Sequence, residues 1–303
     1  MRPKIIVVGS SNTDLVVKLP RLPKAGETII GGTFSTAAGG KGANQAIAAA
    51  RAGGDVTFIT KVGNDHFGQQ AINAFEKDEL NIDFVGFERG VSSGIALIFV
   101  DDRGENSIGV ASGANNELRP SDIERAAEAV TAADVLLVQL EIPMETVEAA
   151  VRMASRAGVR IVLNPAPAQP LSPGLCRMIS VLTPNENEAE VLTGVRVVDD
   201  ETIEKTASLL MARGVGAAVL TLGARGAYVA EGGKGEFIPT LKVDPIDSTA
   251  AGDVFNGALA VCLGEKQSLR DAVRFANAAA ALSVTRLGAQ PSAPNRKEIL
   301  DLL

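Results

Sequence analysis

The feature that most constrains the fold is a regular alternation between short apolar runs and longer alanine-rich stretches. Six runs rich in β-branched residues have the length of a buried strand, namely residues 4–9, 56–62, 135–140, 160–165, 181–184 and 217–223. Segments with helical spacing lie near residues 42–52, 66–77, 120–130, 144–157, 200–213 and 268–284. Strands that are apolar throughout belong in a sheet covered on both faces. The pattern therefore predicts an α/β fold with a doubly wound, mostly parallel central sheet flanked by helices.

Two segments, residues 14–33 and 92–111, break this alternation. Each contains short strand-like runs joined by turns with proline or glycine, and neither has a helix beside it. We expect them to pair with each other as a small antiparallel sheet inserted into a single domain over residues 1–303, although the length also suits two smaller domains. Such a sheet would act as a lid over the main domain, or leave strand edges that a second subunit covers.

The composition is that of an ordinary globular protein, with 46% hydrophobic and 21% charged residues. The formal net charge of −7 argues against non-specific binding to nucleic acid or to an anionic membrane surface, so an anionic ligand would need local donors. Cys176 and Cys262 lie far apart in apolar surroundings, which is typical of free thiols in a reducing compartment. We find neither a signal-peptide pattern nor a stretch of membrane-spanning length, and we expect a cytoplasmic protein without a membrane partner.

Several common catalytic sites are excluded or disfavoured. His66 is the only histidine, which rules out multi-histidine metal sites, and no GxSxG motif surrounds a serine. Gly40-Lys41 is followed by Gly42 and not by serine or threonine, and the first apolar run leads into GSSNTD and not into GxGxxG. The sequence therefore disfavours phosphate-loop ATPases and Rossmann dehydrogenases.

Polar side chains follow several of the predicted strands, where α/β proteins bind their ligands. Asn12 and Asp14 come directly after the first strand and suit the binding of vicinal hydroxyls, although capping of a turn explains them equally well. Lys41 and Asn44 lie in the glycine-rich stretch 37–46 at the start of a helical segment. Its glycines let the backbone approach a ligand, which favours a polyol or phosphate site over a plain tight turn.

Three further clusters follow later strands. Glu141 comes after the run 135–140. Asn185 and Glu188 have i, i+3 spacing, which predicts an amide and a carboxylate on one helix face. That pair suits water-mediated binding of phosphate-bound Mg²⁺, but it also fits an ordinary acidic helix start. The stretch 221–226 combines a hydroxyl with glycines and fits either a nucleotide site or a hairpin turn.

The stretch DSTAAGD, residues 247–253, places very small side chains before its final carboxylate, and a helical segment follows. Asp253 can simply cap that helix, because a carboxylate is stabilising near a helix N-terminus. Alternatively, the bare turn presents backbone N–H groups to an anion, and the carboxylate faces a group that must lose a proton. Both interpretations remain open from these residues alone.

The motifs GSSNTD, GGKGANQA, NPAPA, TPNENEAE, TLGARGA, DSTAAGDVFNGAL and TRLGAQPS follow one another along the chain. Together they resemble the ribokinase-like (PfkB) family of carbohydrate kinases, from residue 4 to about residue 300. The resemblance implies a central sheet with a small β lid, and pairing of lids into a homodimer. It also implies ATP-dependent phosphorylation of D-ribose at the 5-hydroxyl to ribose 5-phosphate, with Mg²⁺ and an activating monovalent cation, K⁺.

By position, the resemblance implies that Asp253 is the catalytic base, preceded by an anion hole for the transferred phosphoryl group at Ala250, Ala251 and Gly252. The sugar site that it implies consists of Asn12, Asp14, Gly40, Lys41, Asn44, Glu141 and Asp253. The implied nucleotide site, with phosphate at Asn185, the Mg²⁺ water shell at Glu188 and adenine near Asn277, consists of Asn185, Glu188, Thr221, Gly223, Gly252 and Asn277. Backbone carbonyls would supply most ligands of the monovalent cation, which would be surrounded by Asp247, Thr249, Ser283, Arg286, Gly288 and Ser292.

Other functions remain open at this stage. A related kinase could act on deoxyribose, another pentose or a nucleoside, although Asn12 with Asp14 favours an acceptor that carries both the 2- and the 3-hydroxyl. A non-catalytic sugar sensor on the same scaffold would not need Asp253 with its turn of small residues, nor the pair of Asn185 and Glu188. A dehydrogenase lacks its glycine fingerprint.

Overall fold

The computed structural model describes residues 2–303, in which the alternation of the sequence becomes an alternation of strands and helices. The strands are β1 (Lys4–Val8), β2 (Asn12–Lys18), β3 (Thr33–Gly39), β4 (Asp55–Gly63), β5 (Val85–Glu88), β6 (Gly94–Val100), β7 (Asn106–Ala111), β8 (Val135–Val138), β9 (Arg160–Leu163), β10 (Val181–Leu182), β11 (Ala217–Thr221), β12 (Ala227–Glu231) and β13 (Lys234–Ile238). The α-helices are α1 (Lys41–Arg51), α2 (His66–Lys77), α3 (Pro120–Arg125), α4 (Ala127–Thr131), α5 (Met144–Arg156), α6 (Pro173–Cys176), α7 (Glu186–Thr193), α8 (Asp200–Ala212), α9 (Ala251–Gly264), α10 (Leu269–Ser283) and α11 (Arg296–Leu302).

Nine strands form one central sheet in the order β13-β12-β11-β10-β9-β8-β1-β4-β5. All neighbours are parallel except at one edge, where β12 is antiparallel to both β11 and β13. Alternate residues of β1 enter opposite cores: Ile5 and Val7 pack with α1 and α9, whereas Ile6 and Val8 pack with helices of the other face. The predicted doubly wound sheet is therefore confirmed, and its strands are apolar throughout because both faces are covered.

The structure moves several predicted boundaries. Five of the six predicted strands end one or two residues earlier than the apolar runs, because the residues that follow leave the ladder at the edge of the sheet. The helix predicted over residues 120–130 is interrupted at Ala126, where φ is −95° and ψ is 12°. β5, β12 and β13 were not predicted: the edge strands β5 and β13 lack a continuous apolar run, and β12, between β11 and β13, has only the short run AYVA.

The two inserted segments form a separate four-stranded sheet, here called the lid, in the order β3-β2-β6-β7. The pairs β2–β3 and β6–β7 are antiparallel, but β2 and β6 run parallel. The predicted small sheet is confirmed, whereas its wholly antiparallel pairing is wrong, because β2 and β6 leave the main domain in the same direction. Residues 19–32 contain two prolines and three glycines at positive φ and form no strand, so β3 begins only at Thr33.

Close packing between α1 and α9 brings the two helix starts together. α9 is buried along almost its whole length, from Asp253 to Gly264. Gly257 permits the approach of α1, because a Cβ atom there would lie 2.7 Å from the backbone oxygen of Gln45 and 2.8 Å from Ala48 Cβ. Polar side chains in the first turn of α1 therefore reach the beginning of α9.

Five neighbouring strands of the central sheet end in polar residues at one edge. β1, β8, β9, β10 and β11 are followed by, or end in, Ser10, Gln139, Asn164, Thr183 and Thr221. The start of α1 lies against this edge, since Gly42 N–H donates to Ser10 Oγ at 3.3 Å. Within residues 2–303, no helix combines the length and the apolar character that crossing a lipid bilayer requires.

Candidate active site

Asp253 is the third residue of α9 and is only 6% exposed. Each of its carboxylate oxygens accepts one hydrogen bond, Oδ2 from Asn44 Nδ2 and Oδ1 from Gln45 Nε2, both at 2.9 Å. No side chain caps the start of α9: Asp253 lies in the first turn, where a carboxylate is favourable, but its oxygens bind α1 and not the helix N–H groups. The pKa of Asp253 is raised, because burial outweighs the charge of Lys41 and the two amides, which lower it.

The start of α9 is open to a ligand. Ala250, directly before the helix, is left-handed with φ 59°, which is uncommon for a residue with a side chain. Within residues 2–303 the N–H groups of Gly252 and Asp253 have no acceptor, and a Cβ atom at Gly252 would have nothing within 4 Å. Free donors and the positive end of the helix dipole therefore coincide beside Asp253, as binding of an anion requires.

Lys41 is the first residue of α1 and lies among the acidic side chains of the site. Burial lowers its pKa, but the neighbouring carboxylates outweigh burial, and the pKa is raised by Asp253, Glu141, Glu188 and Asp14. The ammonium group therefore stays protonated at neutral pH. It is the cation that connects the predicted sugar residues with the predicted nucleotide residues.

Asp14 lies on β2 of the lid and faces the same cluster. Its pKa is raised to about 6, mainly by burial and also by Glu141 and Asp253, against the charge of Lys41, which lowers it. Gly39 leaves room for this carboxylate, because a Cβ atom at Gly39 would lie 2.5 Å from Asp14 Oδ2. At neutral pH Asp14 is mostly ionised and is an acceptor for hydroxyl groups.

Asn12 begins β2, so Asn12 and Asp14 belong to a lid strand and do not form the turn that was one interpretation of the sequence. Asn115 Nδ2 donates to Asn12 Oδ1 at 2.7 Å, and Asn115 Oδ1 accepts from Ser11 N–H at 2.8 Å. These bonds fix the amide of Asn12 and leave its Nδ2 as a donor for a ligand. Asn12 thus offers a donor and Asp14 an acceptor, a combination that suits two neighbouring hydroxyls.

Glu141 stabilises the start of α1. Glu141 Oε2 accepts from Ser10 Oγ at 2.5 Å and from Lys41 N–H at 3.0 Å. The N-cap residue Gly40 has no side chain to do this and has φ 87°. A Cβ atom at Gly40 would lie 2.6 Å from Asn12 N, so glycine is required there. One oxygen of Glu141 therefore has a structural role besides any contact with a ligand.

Asn185 and Glu188 form a capping box at the start of α7. Asn185 N–H donates to Glu188 Oε2 at 2.9 Å, and Asn185 Nδ2 donates to Glu188 Oε1 at 3.0 Å. Asn185 is the N-cap and lies outside the helix, so the predicted shared helix face is wrong, although the two side chains are in contact. The pKa of Glu188 is raised, because burial outweighs the hydrogen bond from Asn185 and the charge of Lys41, which lower it.

Thr221 lies beside this capping box at the end of β11, where its N–H donates to Pro184 O at 3.0 Å. Gly223 follows with φ 54° and nothing within 4 Å of a built Cβ atom. The stretch 221–226 leads into antiparallel β12, as the hairpin interpretation expected. Asn277, on α10, donates through Nδ2 to Ile238 O at 3.0 Å, so its amide nitrogen supports the chain after β13.

The residues predicted around a monovalent cation come from two segments, 246–249 and 283–292, which the structure brings together. Asp247 Oδ1 accepts from Thr249 N–H at 2.9 Å, and Asp247 Oδ2 accepts from Gly288 N–H at 2.8 Å. Burial raises the pKa of Asp247, but these hydrogen bonds outweigh it and the net pKa is lowered. The carboxylate therefore stays ionised and connects the two segments.

Other side chains of these segments have local partners. Ser283 Oγ and Ser292 Oγ each donate to the backbone oxygen three residues earlier, at 2.8 and 2.7 Å. The guanidinium of Arg286 binds Glu298 at 2.7 Å. Within residues 2–303, no three His, Cys, Asp or Glu side chains form a group that could hold a metal ion. That backbone carbonyls of these segments hold a monovalent cation remains a prediction.

Comparison with known proteins decides the family. The model of the pfkB family carbohydrate kinases matches residues 2–296. The chain belongs to the PfkB family. It is 45% identical to the ribokinase of Haemophilus influenzae over 100% of this chain and 99% of the relative, and 41% identical to that of Bacillus subtilis over 99% of each. A solved structure of Arabidopsis thaliana ribokinase with ribose and ATP has a TM-score of 0.93 and 35% identity, and the match covers 100% of this chain and 99% of that one.

Membership of the PfkB family confirms the resemblance that the motifs carried. The prediction of a carbohydrate kinase is confirmed with it, and the dehydrogenase alternative is wrong. The roles of individual residues in this PfkB kinase remain predictions, as does the single domain over residues 1–303. The structure does bring several of the predicted site residues together: Lys41 interacts electrostatically with Asp253, Glu188 and Asp14.

Sequence reasoning did not single out several buried polar residues that contact the site, namely Gln45, Gln139, Asn164, Thr183 and Asn256. Three of them, Gln139, Asn164 and Thr183, lie inside the runs that were predicted as strands, because those runs extend past the strand ends. Gln45 lies inside GGKGANQA beside Asn44. Only the packing of α1 against α9 shows that Gln45 reaches Asp253.

Proposed function

We propose that this PfkB-family kinase transfers the γ-phosphoryl group of ATP to the 5-hydroxyl of D-ribose and produces ribose 5-phosphate and ADP. One observation carries the proposal: the buried carboxylate of Asp253 lies at the start of α9, where the N–H groups of Gly252 and Asp253 are free. The similarity to ribokinases over nearly the whole chain supports ribose as the acceptor.

In the proposed reaction the ribose 5-oxygen attacks the γ-phosphorus, the bond from that phosphorus to the β,γ-bridging oxygen breaks, and Asp253 takes the hydroxyl proton. The equatorial phosphoryl oxygens lie at the start of α9, where Ala250, Ala251 and Gly252 add no bulk. Phosphoryl transfer depends mainly on in-line positioning and charge neutralisation, which the N–H groups and the Lys41 ammonium supply. A closed lid would exclude water as a competing acceptor.

The sugar would bind between the lid and the sheet edge. Asn12 Nδ2 and ionised Asp14 fit the 2- and 3-hydroxyls as donor and acceptor. Asn44 Oδ1 is buried without a partner within residues 2–303, which supports a sugar hydroxyl as its missing donor. Glycine at residue 40 lets the backbone lie close to the ligand, and Lys41 and Glu141 complete the set.

The nucleotide would bind along the capping box, Thr221 and Gly223, with Asn277 near adenine. Mg²⁺ usually keeps several waters and binds through phosphates and one or two carboxylates, and Glu188 fits that mode as a single buried carboxylate. When bound, Mg²⁺ would neutralise charge on the phosphates. K⁺ would be held by backbone carbonyls of 246–249 and 283–292, the segments that Asp247 connects.

We further propose that two copies of the chain pair through their lids. Four large apolar side chains of the lid are 51–65% exposed, namely Phe34, Leu97, Ile108 and Val110. A second lid would cover Ile108 and Val110, which the strand register places together on one face of the exposed edge strand β7, whereas Phe34 and Leu97 lie on the opposite face. We also place the enzyme in the cytoplasm, in support of which Cys176 and Cys262 are both buried and free.

The test is ADP release from MgATP with D-ribose, 2-deoxyribose or a nucleoside, in K⁺ and then in Na⁺. We expect fast turnover with ribose, and a large decrease when Na⁺ replaces K⁺. Turnover with a nucleoside alone would overturn the acceptor but keep Asp253 as the base. Binding of ribose without any ADP release would support the sensor alternative and contradict the proposed function.

A further inference from the structure

A chain of buried side-chain amides lies against the carboxylate of Asp253. Gln139 Nε2 donates to Gln45 Oε1 at 2.6 Å. Gln45 Nε2 donates both to Asp253 Oδ1 at 2.9 Å and to Asn164 Oδ1 at 3.1 Å. Gln45 and Gln139 are 0% exposed, so neither side chain can touch a substrate. These hydrogen-bonded amides therefore connect two strand ends of the central sheet, through Gln45 of α1, to the proposed base.

The direction of these hydrogen bonds is fixed from one end. Asn164 Nδ2 donates to Thr183 O at 3.0 Å, so Asn164 Oδ1 must face Gln45. Gln45 then has to present its nitrogen to Asn164 and to Asp253, and its oxygen to Gln139. A reversed Gln45 amide would place its oxygen against two other oxygens. The donor toward Asp253 is thus determined by the sheet and not by the carboxylate itself.

Asn44 and Gln45 are neighbours on α1, and both donate to Asp253, but their remaining atoms differ. Asn44 Oδ1 has no partner within residues 2–303, which leaves this amide free to change when a ligand arrives. In Gln45, by contrast, the oxygen has a donor and the nitrogen has two acceptors. The hydrogen bond from Gln45 therefore persists when the bond from Asn44 is rearranged.

We propose that Gln45 is a positioning residue for the catalytic base: its amide holds Asp253 Oδ1 and leaves Oδ2 to take the proton of the sugar hydroxyl. This inference rests on the proposed function, in which Asp253 is the base. The hydrogen bond also stabilises the ionised carboxylate. Like the charge of Lys41, it lowers the pKa of Asp253. Burial and the surrounding negative charges, which belong to Glu141, Asp14 and Glu188, raise that pKa.

The test is the pH dependence of kcat for Gln45→Met, which keeps the length of the side chain and removes the donor. Loss of a hydrogen bond to a charged group raises the pKa of Asp253, so kcat falls by about 10- to 100-fold at the acidic end of the profile. At the alkaline end we expect a loss of less than about fivefold, because Asp253 is ionised there in both proteins. KM for ribose should change less than kcat, since Gln45 does not touch the sugar. An acidic limb that coincides with that of the wild type would overturn the inference.

Thr146→Val is the matched control, because it removes a buried hydrogen bond of 2.6 Å, to Leu118 O, without any contact with Asp253. Its acidic limb should coincide with that of the wild type. Infrared difference spectra, in which the protonated carboxyl band is assigned with Asp253→Asn, measure the pKa of Asp253 without turnover. A wild type without kinase activity would contradict the proposed function. A carboxyl band that titrates at the same pH in Gln45→Met as in the wild type would contradict only the role of Gln45.

Discussion

The edge of the central sheet and the lid supply the two sides of the proposed sugar site, yet they are built in opposite ways. At the sheet edge, helices cover both faces, and Asp253, Gln45 and Asn164 hold one another by buried hydrogen bonds. In the lid, β7 is exposed along its whole length, and Phe34 is 65% exposed. The proposed base therefore lies on the part of the fold with the most internal support, whereas the lid leaves apolar side chains exposed.

The largest expected effect comes from the sheet edge. Asp253→Asn removes the base, and kcat for ribose should fall by about 10²- to 10⁴-fold. The fold should be kept, because the unpaired Oδ1 of Asn44 can turn to accept from the new amide. Steady-state kinetics together with ribose binding by calorimetry checks this. Near-wild-type turnover would show that another group takes the proton.

The second prediction concerns the lid. Ile108 and Val110 lie on one face of β7 and are 54% and 56% exposed, and replacing both by serine removes apolar area that a second lid would bury. We expect the dimer dissociation constant to rise by about 10²-fold, with little change in the melting temperature of the separated chain. Sedimentation equilibrium measures the first quantity. Val198→Ser, at a site that is 65% exposed and outside the lid, is the matched control. An unchanged dimer would contradict pairing through the lids.

The third prediction tests the close packing of α1 against α9, which holds the amide donors beside Asp253. In Gly257→Ala the new Cβ atom would lie 2.7 Å from the backbone oxygen of Gln45, so α1 must shift away from α9. We expect a loss of about 1–3 kcal/mol in the free energy of unfolding, and a lower kcat because the amide donors to Asp253 move with α1. Gly174→Ala in α6 is the control, since its nearest neighbour is 3.9 Å away. Equal behaviour of the two variants in denaturant titrations would contradict close packing at Gly257.

The smallest expected effect belongs to Asp14, where lid and sheet edge meet. Its pKa of about 6 means that the carboxylate becomes charged as pH rises through that value. Ribose affinity should then increase by about three- to tenfold, because an ionised acceptor binds hydroxyls more strongly. Asp14→Asn should show no such increase. Calorimetric titration over this range measures both proteins.

The same raised pKa affects stability with the opposite sign. The folded-state pKa of Asp14 is about 6 and its ordinary value is 3.8, so folding favours the protonated form. Wild-type stability relative to Asp14→Asn should therefore decrease as pH rises from 3.8 to about 6, and stay constant above that range. A relative stability that increases over this interval would contradict the burial of Asp14.

Sequence patterns located most of the architecture but not the details of pairing. Apolar runs predicted all the central parallel strands except β5, because burial on both faces leaves a strong local signal. The parallel pairing of β2 with β6 was missed, since strand direction depends on where each strand leaves the main domain. The capping box of Asn185 and Glu188 was predicted as a shared helix face, because i, i+3 spacing is the same in both arrangements.

Local sequence patterns established the α/β class, the order and approximate positions of the main strands, the family and the small residues before Asp253. These features are local, and each leaves its mark in neighbouring residues. Only the tertiary structure decided that Gln45 and Asn164 lie behind Asp253, that Asn115 orients Asn12, and that Lys41 is surrounded by four carboxylates. Apart from Lys41 with Asp14, these contacts join residues about a hundred or more positions apart in the chain. They arise from the approach of α1 to α9 and of the lid to the sheet edge, which no local pattern encodes.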